Sequence, residues 1–190
     1  FNSHWSKKRF LEEMNSDAIN SEKLLVIHQS ASKNKLNIKN KEKIITFVGK
    51  LNRSKGYDLF GKAVTKILDE FKDWNACVYG DEPREKIDFK HKNLHILGYQ
   101  SNKKVLKNLE KTSIAISCSK WDEPFGRASL EASSRGCAVI ISNKGGLPET
   151  ITDGIILEKI DTQCLYKNIK KLILKLMLKR NTTIIKINNT

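Results

Sequence analysis

The chain has 190 residues, of which 39% are hydrophobic and 29% are charged, and its formal net charge is +14. The apolar content excludes a disordered protein and suits the core of one domain of ordinary size with flanking segments. No apolar run reaches the roughly 18 residues that cross a bilayer, and neither an initial Met nor a signal peptide begins the sequence, which indicates a piece of a longer protein.

Residues 1–42 differ in character from the rest of the chain. We predict a helix over Trp5–Met14 that Ser3 caps, a strand over Lys23–Ser30 and a polar connector over Ala31–Lys43. We expect this region to belong in part to a neighbouring domain.

From residue 43 onwards, short apolar runs alternate with segments whose apolar residues recur at helical spacing. This alternation predicts an α/β fold, with a parallel sheet and helices on both of its faces. The predicted strands are Lys43–Gly49, Ala76–Gly80, Leu94–Tyr99, Ser113–Ser119, Ala138–Ser142 and Gly154–Glu158. The predicted helices are Tyr57–Trp74, Asn102–Thr112, one from Phe125 onwards and one from Asp161 to Arg180, followed by a tail over residues 181–190.

Glycines or charged residues follow four of the predicted strands. Ligands of parallel sheets bind beyond the carboxyl ends of the strands, and Gly49, Gly80, Gly98 and the loop Lys120–Glu123 all lie there. The sequence therefore indicates a ligand site at this edge.

Two glutamates, Glu123 and Glu131, flank the start of a predicted helix. Pro124 and Gly126 disfavour helix around the first glutamate, so we expect the helix to begin near Phe125. The second glutamate then lies about 9 Å further along the helix axis.

The unpaired amides of residues 125–128 and the positive end of this helix would bind a phosphate or diphosphate. Carboxylates accept strong hydrogen bonds from vicinal hydroxyls, so a nucleotide sugar, with its hexose, diphosphate and ribose in series, suits the layout. The alternative, to which these residues give equal weight, is one glutamate that favours the helix dipole and a second that is solvated.

The loop Gly49–Gly56 follows the first buried strand and carries three cations, Lys50, Arg53 and Lys55. Cations at this position would neutralise a diphosphate leaving group, whereas a solvated basic loop is the alternative. The loop lacks the spacing of a P-loop, and no G-x-G-x-x-G motif predicts a redox dinucleotide. The segment Asn143–Thr150 has two adjacent glycines that allow close approach to a ligand, although a plain turn explains it as well.

The four cysteines are far apart, so we predict neither a disulfide framework nor a zinc site, and a reducing cytoplasm fits best. No histidine has a partner that the sequence identifies, and we expect surface or core positions for His4, His28, His91 and His95.

Together these segments resemble the C-terminal domain of a GT-B fold, retaining glycosyltransferase of family 4, in the glycosyl transferases group 1. The resemblance runs from about Lys43 to Arg180 and depends on the joint order of the E-x7-E motif, EPFG…LEA and GG-x-P-E. It implies a Rossmann-like, nucleotide-sugar-binding domain over residues 43–180. It also implies that residues 1–42 are the end of the N-terminal acceptor domain and the crossover linker.

The resemblance implies a role for each site residue. Glu123 would contact the transferred sugar and Glu131 the ribose, while Lys50 and Lys55 would bind the diphosphate. Lys50 stands where the family usually has Arg, which puts bidentate phosphate contact in doubt. The remaining binding positions are the amides of Phe125, Gly126 and Arg127, the loop residues Gly49 and Arg53, and Gly98 and Tyr99 beside the base. No metal or other cofactor is expected.

The implied reaction moves a sugar from a nucleoside diphosphate sugar to an acceptor hydroxyl, in cell-envelope polysaccharide, lipopolysaccharide or glycolipid synthesis. We expect this piece alone to be inactive, because the acceptor domain that lines half of the cleft is missing. We expect a cytoplasmic protein, with the inner face of the membrane as the alternative.

Two other functions stay open. The charge would also suit a non-catalytic module that binds nucleic acid or an anionic membrane, although no RNA-stacking motif or recognition helix is evident. The basic helix Cys164–Arg180 would make peripheral membrane contact in that case, whereas we prefer a helix that covers the sheet. An epimerase or phosphorylase of the same fold is the third alternative.

Overall fold

The computed structural model describes residues 1–14, 21–32 and 38–188. Its sheet has six parallel strands, and their order from one edge to the other is β3-β2-β1-β4-β5-β6. The order reverses between the two central strands. The strand bounds are β1 Glu42–Val48, β2 Asn75–Tyr79, β3 Leu94–Ile96, β4 Thr112–Ser117, β5 Ala138–Ser142 and β6 Ile155–Leu157.

Helices cover both faces of this sheet, as predicted. The covering helices are α2 Tyr57–Glu70, α3 Asn102–Lys111, α4 Arg127–Ser134 and α5 Thr162–Asn188, and a further helix, α1 His4–Glu13, has no buried residue. One hydrophobic cluster joins α2 and α5 to one face of the sheet, and a second joins α3 and α4 to the other. Short 3-10 turns occur at Ser21–Lys23, Ile38–Asn40 and Leu147–Thr150.

The central strands have near-continuous apolar sequences because both of their faces are buried. In β4, Ile114 and Ile116 face the cluster with α2 and α5, whereas Ala115 between them faces the other cluster. In β5, Ile140 and Ile141 likewise belong to opposite clusters. Since successive side chains of a strand alternate between faces, both faces of these strands must be apolar.

Most predicted elements are confirmed, with shifts at their ends. The helix α2 ends at Glu70 rather than Trp74, because Phe71 leaves helical geometry with φ −109° and ψ 77°. Trp74 is instead fully buried beneath that helix end. The helix α5 continues past Arg180 to Asn188, so part of the segment predicted as tail is helical.

The predicted strand Lys23–Ser30 is wrong. This segment begins with a 3-10 turn and has no regular structure afterwards. Its backbone bonds to the chain start, where the Ile27 amide donates to the Phe1 carbonyl at 2.8 Å and the terminal ammonium group of Phe1 donates to the Leu25 carbonyl at 2.8 Å. Leu25 and Ile27 are exposed, so the apolar run that suggested a buried strand lies on the surface. The predicted connector over residues 31–43 lies partly outside the described residues.

The preferred interpretation of the basic helix as a cover for the sheet is confirmed. Leu165, Ile169 and Ile173 on α5 are fully buried, at the four-residue spacing of one helix face. Leu174 and Leu178, on the remaining surface of the helix, are exposed. No helix among the described residues is long and apolar enough to cross a membrane.

We expect Ile169→Ala to lower the free energy of unfolding by about 2–5 kcal/mol, because it leaves a cavity under α5. Leu174→Ala on the same helix is the matched control, and we expect a loss below about 1 kcal/mol, because that side chain is 46% exposed. Urea denaturation of both variants measures the difference. Equal losses would contradict the assignment of the buried face.

Candidate active site

Two adjoining pockets lie at the carboxyl edge of the sheet, where the strand order reverses. The first, of about 170 Å³, is lined by the end of β1, the loop after β4 and the start of α4. The second, of about 300 Å³, is lined by the ends of β1 and β2 and by the segment that leads into α3. Val48 and Gly49 line both pockets. This reversal is where parallel α/β sheets bind ligands.

Lys55 and Glu123, both predicted as catalytic, meet in the first pocket. Lys55 Nζ donates a hydrogen bond to Glu123 Oε1 at 2.5 Å, and their side chains are 33% and 12% exposed. The Lys55 amide donates to Asn52 Oδ1 at 2.9 Å, which fixes the loop before α2. The structure therefore brings the predicted cation and the predicted acid together from two different loops.

The N-terminus of α4 opens into the same pocket, which Gly126 and Arg127 line. Gly126 adopts a left-handed φ of 111°, so the helix begins at Arg127 and not at Phe125 as predicted. Helical bonding starts with the Leu130 amide, which donates to the Gly126 carbonyl at 3.4 Å. No side chain caps the helix. The three amides before Leu130 therefore have no intrahelical partner and form a site suited to an anion.

Glu131 lies behind the first pocket and reaches it through Arg127. Arg127 Nη2 donates to Glu131 Oε1 at 2.9 Å, and Arg127 itself lines the pocket. Asn102, the first residue of α3, places Nδ2 at 3.3 Å from both carboxylate oxygens. Glu131 is only 7% exposed. The predicted second acid is thus next to the pocket, where two protein groups engage it.

The second pocket holds the other predicted cation and the predicted base contact. Lys50 and Tyr99 line it together with Asp81 and Tyr79. The Tyr99 side chain is 79% exposed and offers an open aromatic face. Burial, with a contribution from the neighbouring Cys77, raises the pKa of Tyr79, so this wall residue stays a neutral phenol.

Besides Glu131, three other predicted binding residues line neither pocket. The Phe125 side chain is buried and stacks on His28, with ring centroids 5.6 Å apart. Arg53 points outwards, with its side chain 72% exposed and Nη1 at 3.6 Å from Glu85 Oε2. Gly98 lies beside the second pocket, where its carbonyl accepts from the Gly80 amide at 2.9 Å.

The loop that carries Glu123 is held by backbone contacts with the turn after β5. Glu123 forms a parallel bridge with Gly145, and its carbonyl accepts from the Gly146 amide at 2.7 Å. Ser3, fully buried, donates from Oγ to the next carbonyl, that of Pro124, at 2.6 Å. The predicted glycine pair thus contacts this loop, and the chain start supports it from another side.

Glu149 joins the N-terminal segment to the domain. Its carboxylate accepts from the amides of His4 at 2.7 Å and Trp5 at 2.9 Å, and His28 Nε2 lies 3.0 Å from Oε2. Burial acts to raise the pKa of Glu149, but the hydrogen bonds from these two amides and from His28 outweigh it and hold the pKa below its usual range. No pattern in the sequence predicts this contact, because the partners are more than 120 residues apart.

The sequence and the fold of this chain match known proteins. Residues 28–189 match the family of glycosyl transferases group 1, and the chain belongs to this family. Spore coat protein SA of Bacillus subtilis (strain 168) is 29% identical over 126 residues, which is 60% of this chain and 33% of that protein. The chain spans about a third of the length of the curated relatives it matches.

Two crystal structures give the same result for the fold. Anabaena Alr3699/HepE in complex with UDP-glucose has a TM-score of 0.73 and 17% identity, over 93% of this chain and 54% of that one. The C-terminal domain of LpcC, a glycosyl transferase group 1 family protein from Francisella tularensis, has a TM-score of 0.61 and 26% identity, over 70% of this chain and 76% of that one. The Rossmann-like fold of a GT-B glycosyltransferase is confirmed.

We expect Gly145→Ala to lower the free energy of unfolding by about 3 kcal/mol or more, because the added Cβ would lie 2.1 Å from the Glu123 carbonyl oxygen. Gly98→Ala is the matched control, since its φ of 66° is close to the 59° of Gly145, but nothing lies within 4 Å of the added Cβ. In the Gly98→Ala variant the free energy of unfolding should fall only by about 1–2 kcal/mol, because a residue with a side chain is strained in the left-handed conformation. Urea denaturation compares them, and equal costs would argue against a tight bridge.

Proposed function

We propose that this member of the glycosyl transferases group 1 binds a nucleoside diphosphate sugar in the two joined pockets. In the whole enzyme, this donor-binding domain would present the sugar for transfer to an acceptor hydroxyl. The observation that carries the proposal is the first pocket, where Lys55, Glu123 and the uncapped N-terminus of α4 meet. A helix N-terminus and a lysine bind a diphosphate, while a carboxylate binds sugar hydroxyls.

Each acid of this site already has a cationic partner, which suggests how the donor enters. Lys55 engages Glu123, and Arg127 engages Glu131. An arriving diphosphate offers both cations a stronger anionic partner and frees the two carboxylates for hydroxyls of the sugar and the ribose. The donor thus replaces two internal ion pairs rather than meeting bare buried charges, which are costly.

The second pocket suits the nucleoside. It is larger than the first, shares Val48 and Gly49 with it, and presents the exposed ring of Tyr99. Lys50 lies at its edge and provides a second cation near the diphosphate. The complex of Alr3699/HepE with UDP-glucose, a protein of the same fold, supports a donor of this chemical class.

Positioning and electrostatic stabilisation of the departing diphosphate would supply the catalytic power. Lys55, Lys50 and the amides of α4 would offset the charge that develops on the phosphate as the glycosidic bond breaks. Retention of the anomeric configuration, without a metal ion at the diphosphate, is part of this proposal.

The whole protein would carry the acceptor in a separate domain. Exposed apolar side chains in the N-terminal segment support a surface for that domain; they are Phe1, Phe10, Met14, Leu25 and Ile27. We therefore propose that this chain alone turns over little. The names of relatives, a spore coat protein and a protein in a cps region of Klebsiella pneumoniae, support cell-envelope polysaccharide synthesis.

We expect Lys55→Ala, Lys50→Ala and Glu131→Ala each to weaken nucleoside diphosphate binding by about 10- to 100-fold, the cost of a charge-assisted hydrogen bond. The probe is whichever of UDP, GDP and ADP raises the melting temperature most. Isothermal titration calorimetry measures the affinities.

Arg53→Ala is the matched control, because it removes the same charge as the lysine variants from the same loop, but its side chain points towards Glu85. We expect less than about a threefold change. Unchanged affinity in all three site variants would refute the site, and an equal loss in the control would indicate only general charge attraction.

Glu123→Ala should weaken binding of the sugar donor more than binding of the bare diphosphate, because its carboxylate faces the place assigned to the hexose. Calorimetry with the diphosphate and with its glucose conjugate makes the comparison. Equal losses for both ligands would contradict the role. Salt-sensitive binding to RNA or anionic vesicles, with no response to any nucleotide sugar, would favour the non-catalytic alternative.

A further inference from the structure

Two histidines and a glutamate lie together outside the two pockets. His4 begins α1, His28 lies in the irregular segment that follows, and Glu149 lies in the 3-10 turn after β5. Each offers one ligand atom, and these atoms all lie within 4.8 Å of one another. The two imidazole rings meet edge to face, with centroids 5.5 Å apart.

We propose that His4, His28 and Glu149 bind a zinc ion that fastens the N-terminal segment to the domain. Two imidazole nitrogens and one carboxylate oxygen are a common protein ligand set for zinc, which they bind at about 2.0–2.2 Å, with water at the fourth position. Side-chain movements of about an ångström bring the three ligand atoms to these distances, and both histidines are exposed enough to move.

The contacts of Glu149 leave room for the ion. Oε1 accepts from the Trp5 amide, while Oε2 accepts from the His4 amide and faces His28 Nε2. A carboxylate has about four lone-pair sites, so the two amides can stay bonded while the ion replaces the contact between Oε2 and the imidazole. The amides also orient the carboxylate, as outer partners do in zinc sites.

The surroundings also orient the imidazole ring of His28. His28 stacks on the buried ring of Phe125, at an interplanar angle of 25° and a centroid separation of 5.6 Å. Phe125 directly precedes the glycine that caps α4. The proposed ion would therefore join three segments that are distant in the sequence, and one of them borders the first pocket.

The inference does not depend on the proposed sugar transfer. The three ligands line neither pocket, and zinc binding has its own readouts. Imidazole ligands favour zinc over magnesium, which prefers oxygen ligands in octahedral geometry. Zinc should therefore stabilise the chain where magnesium does not.

The test uses the full chain without a polyhistidine tag. Zinc at about 100 times its Kd should raise the melting temperature by about 5–10 °C. His28→Ala and His4→Ala should each lower the zinc affinity at least about tenfold in calorimetry. His95→Ala is the matched control, because that exposed histidine contacts Asn75 and is not in the cluster; its zinc affinity should equal that of the unaltered chain.

A second measurement on the unaltered chain does not depend on the folding of any variant. The zinc-edge X-ray absorption spectrum should show two imidazoles and oxygen ligands. Hydrogen exchange should slow at the amides of His4 and Trp5 when zinc binds. Absence of zinc stabilisation would overturn the proposal, as would equal binding in the His28→Ala variant or sulfur ligands from the four free cysteines.

Discussion

The attachment of the Glu123 loop to the turn at Gly145 and Gly146 is the constraint on which the site depends. The Glu123 carbonyl accepts the Gly146 amide at 2.7 Å, and the Cβ of any other residue at Gly145 would collide with the Glu123 backbone. Since the backbone of the loop is bonded on that side, the Glu123 carboxylate faces the pocket and meets Lys55. The two motifs that seemed separate in the sequence are therefore one structural unit.

The two ion pairs of the site depend on this attachment. Both acids are nearly buried and each is bonded to a cation, so neither carboxylate is an unpaired buried charge. The two cations are partly exposed, with the Lys55 side chain 33% and the Arg127 side chain 62% accessible, so solvent screening and desolvation of the acids offset most of the attraction. The two ion pairs therefore contribute little to the net stability of the fold, and a ligand with a high negative charge can replace the carboxylates as the partner of each cation. This would explain why the basic residues of the pocket suit a diphosphate better than a neutral sugar.

The sequence predicted the sheet and the position of the site, because alternating apolar runs determine the strands and parallel strands bring their carboxyl ends together. The sequence was less informative where a single residue determines the local geometry. Gly126 moved the start of α4 because its φ is left-handed, and Arg53 turned outwards because Glu85 attracts it. The strand predicted over Lys23–Ser30 is wrong because an apolar run does not show whether a neighbouring strand is available to pair with it.

The N-terminal segment supports the loops of the site, although none of its described residues lines either pocket. Ser3 is fully buried and bonds to the Pro124 carbonyl, while Glu149 accepts the first amides of α1. Pro124 directly follows Glu123, which lines the first pocket, so displacement of the segment would disturb Pro124 and, through it, Glu123. If this segment leads from the acceptor domain, as we propose, then its docking links the acceptor side of the protein to the donor pocket. A zinc ion at His4, His28 and Glu149 would stabilise the docking of the N-terminal segment on the domain.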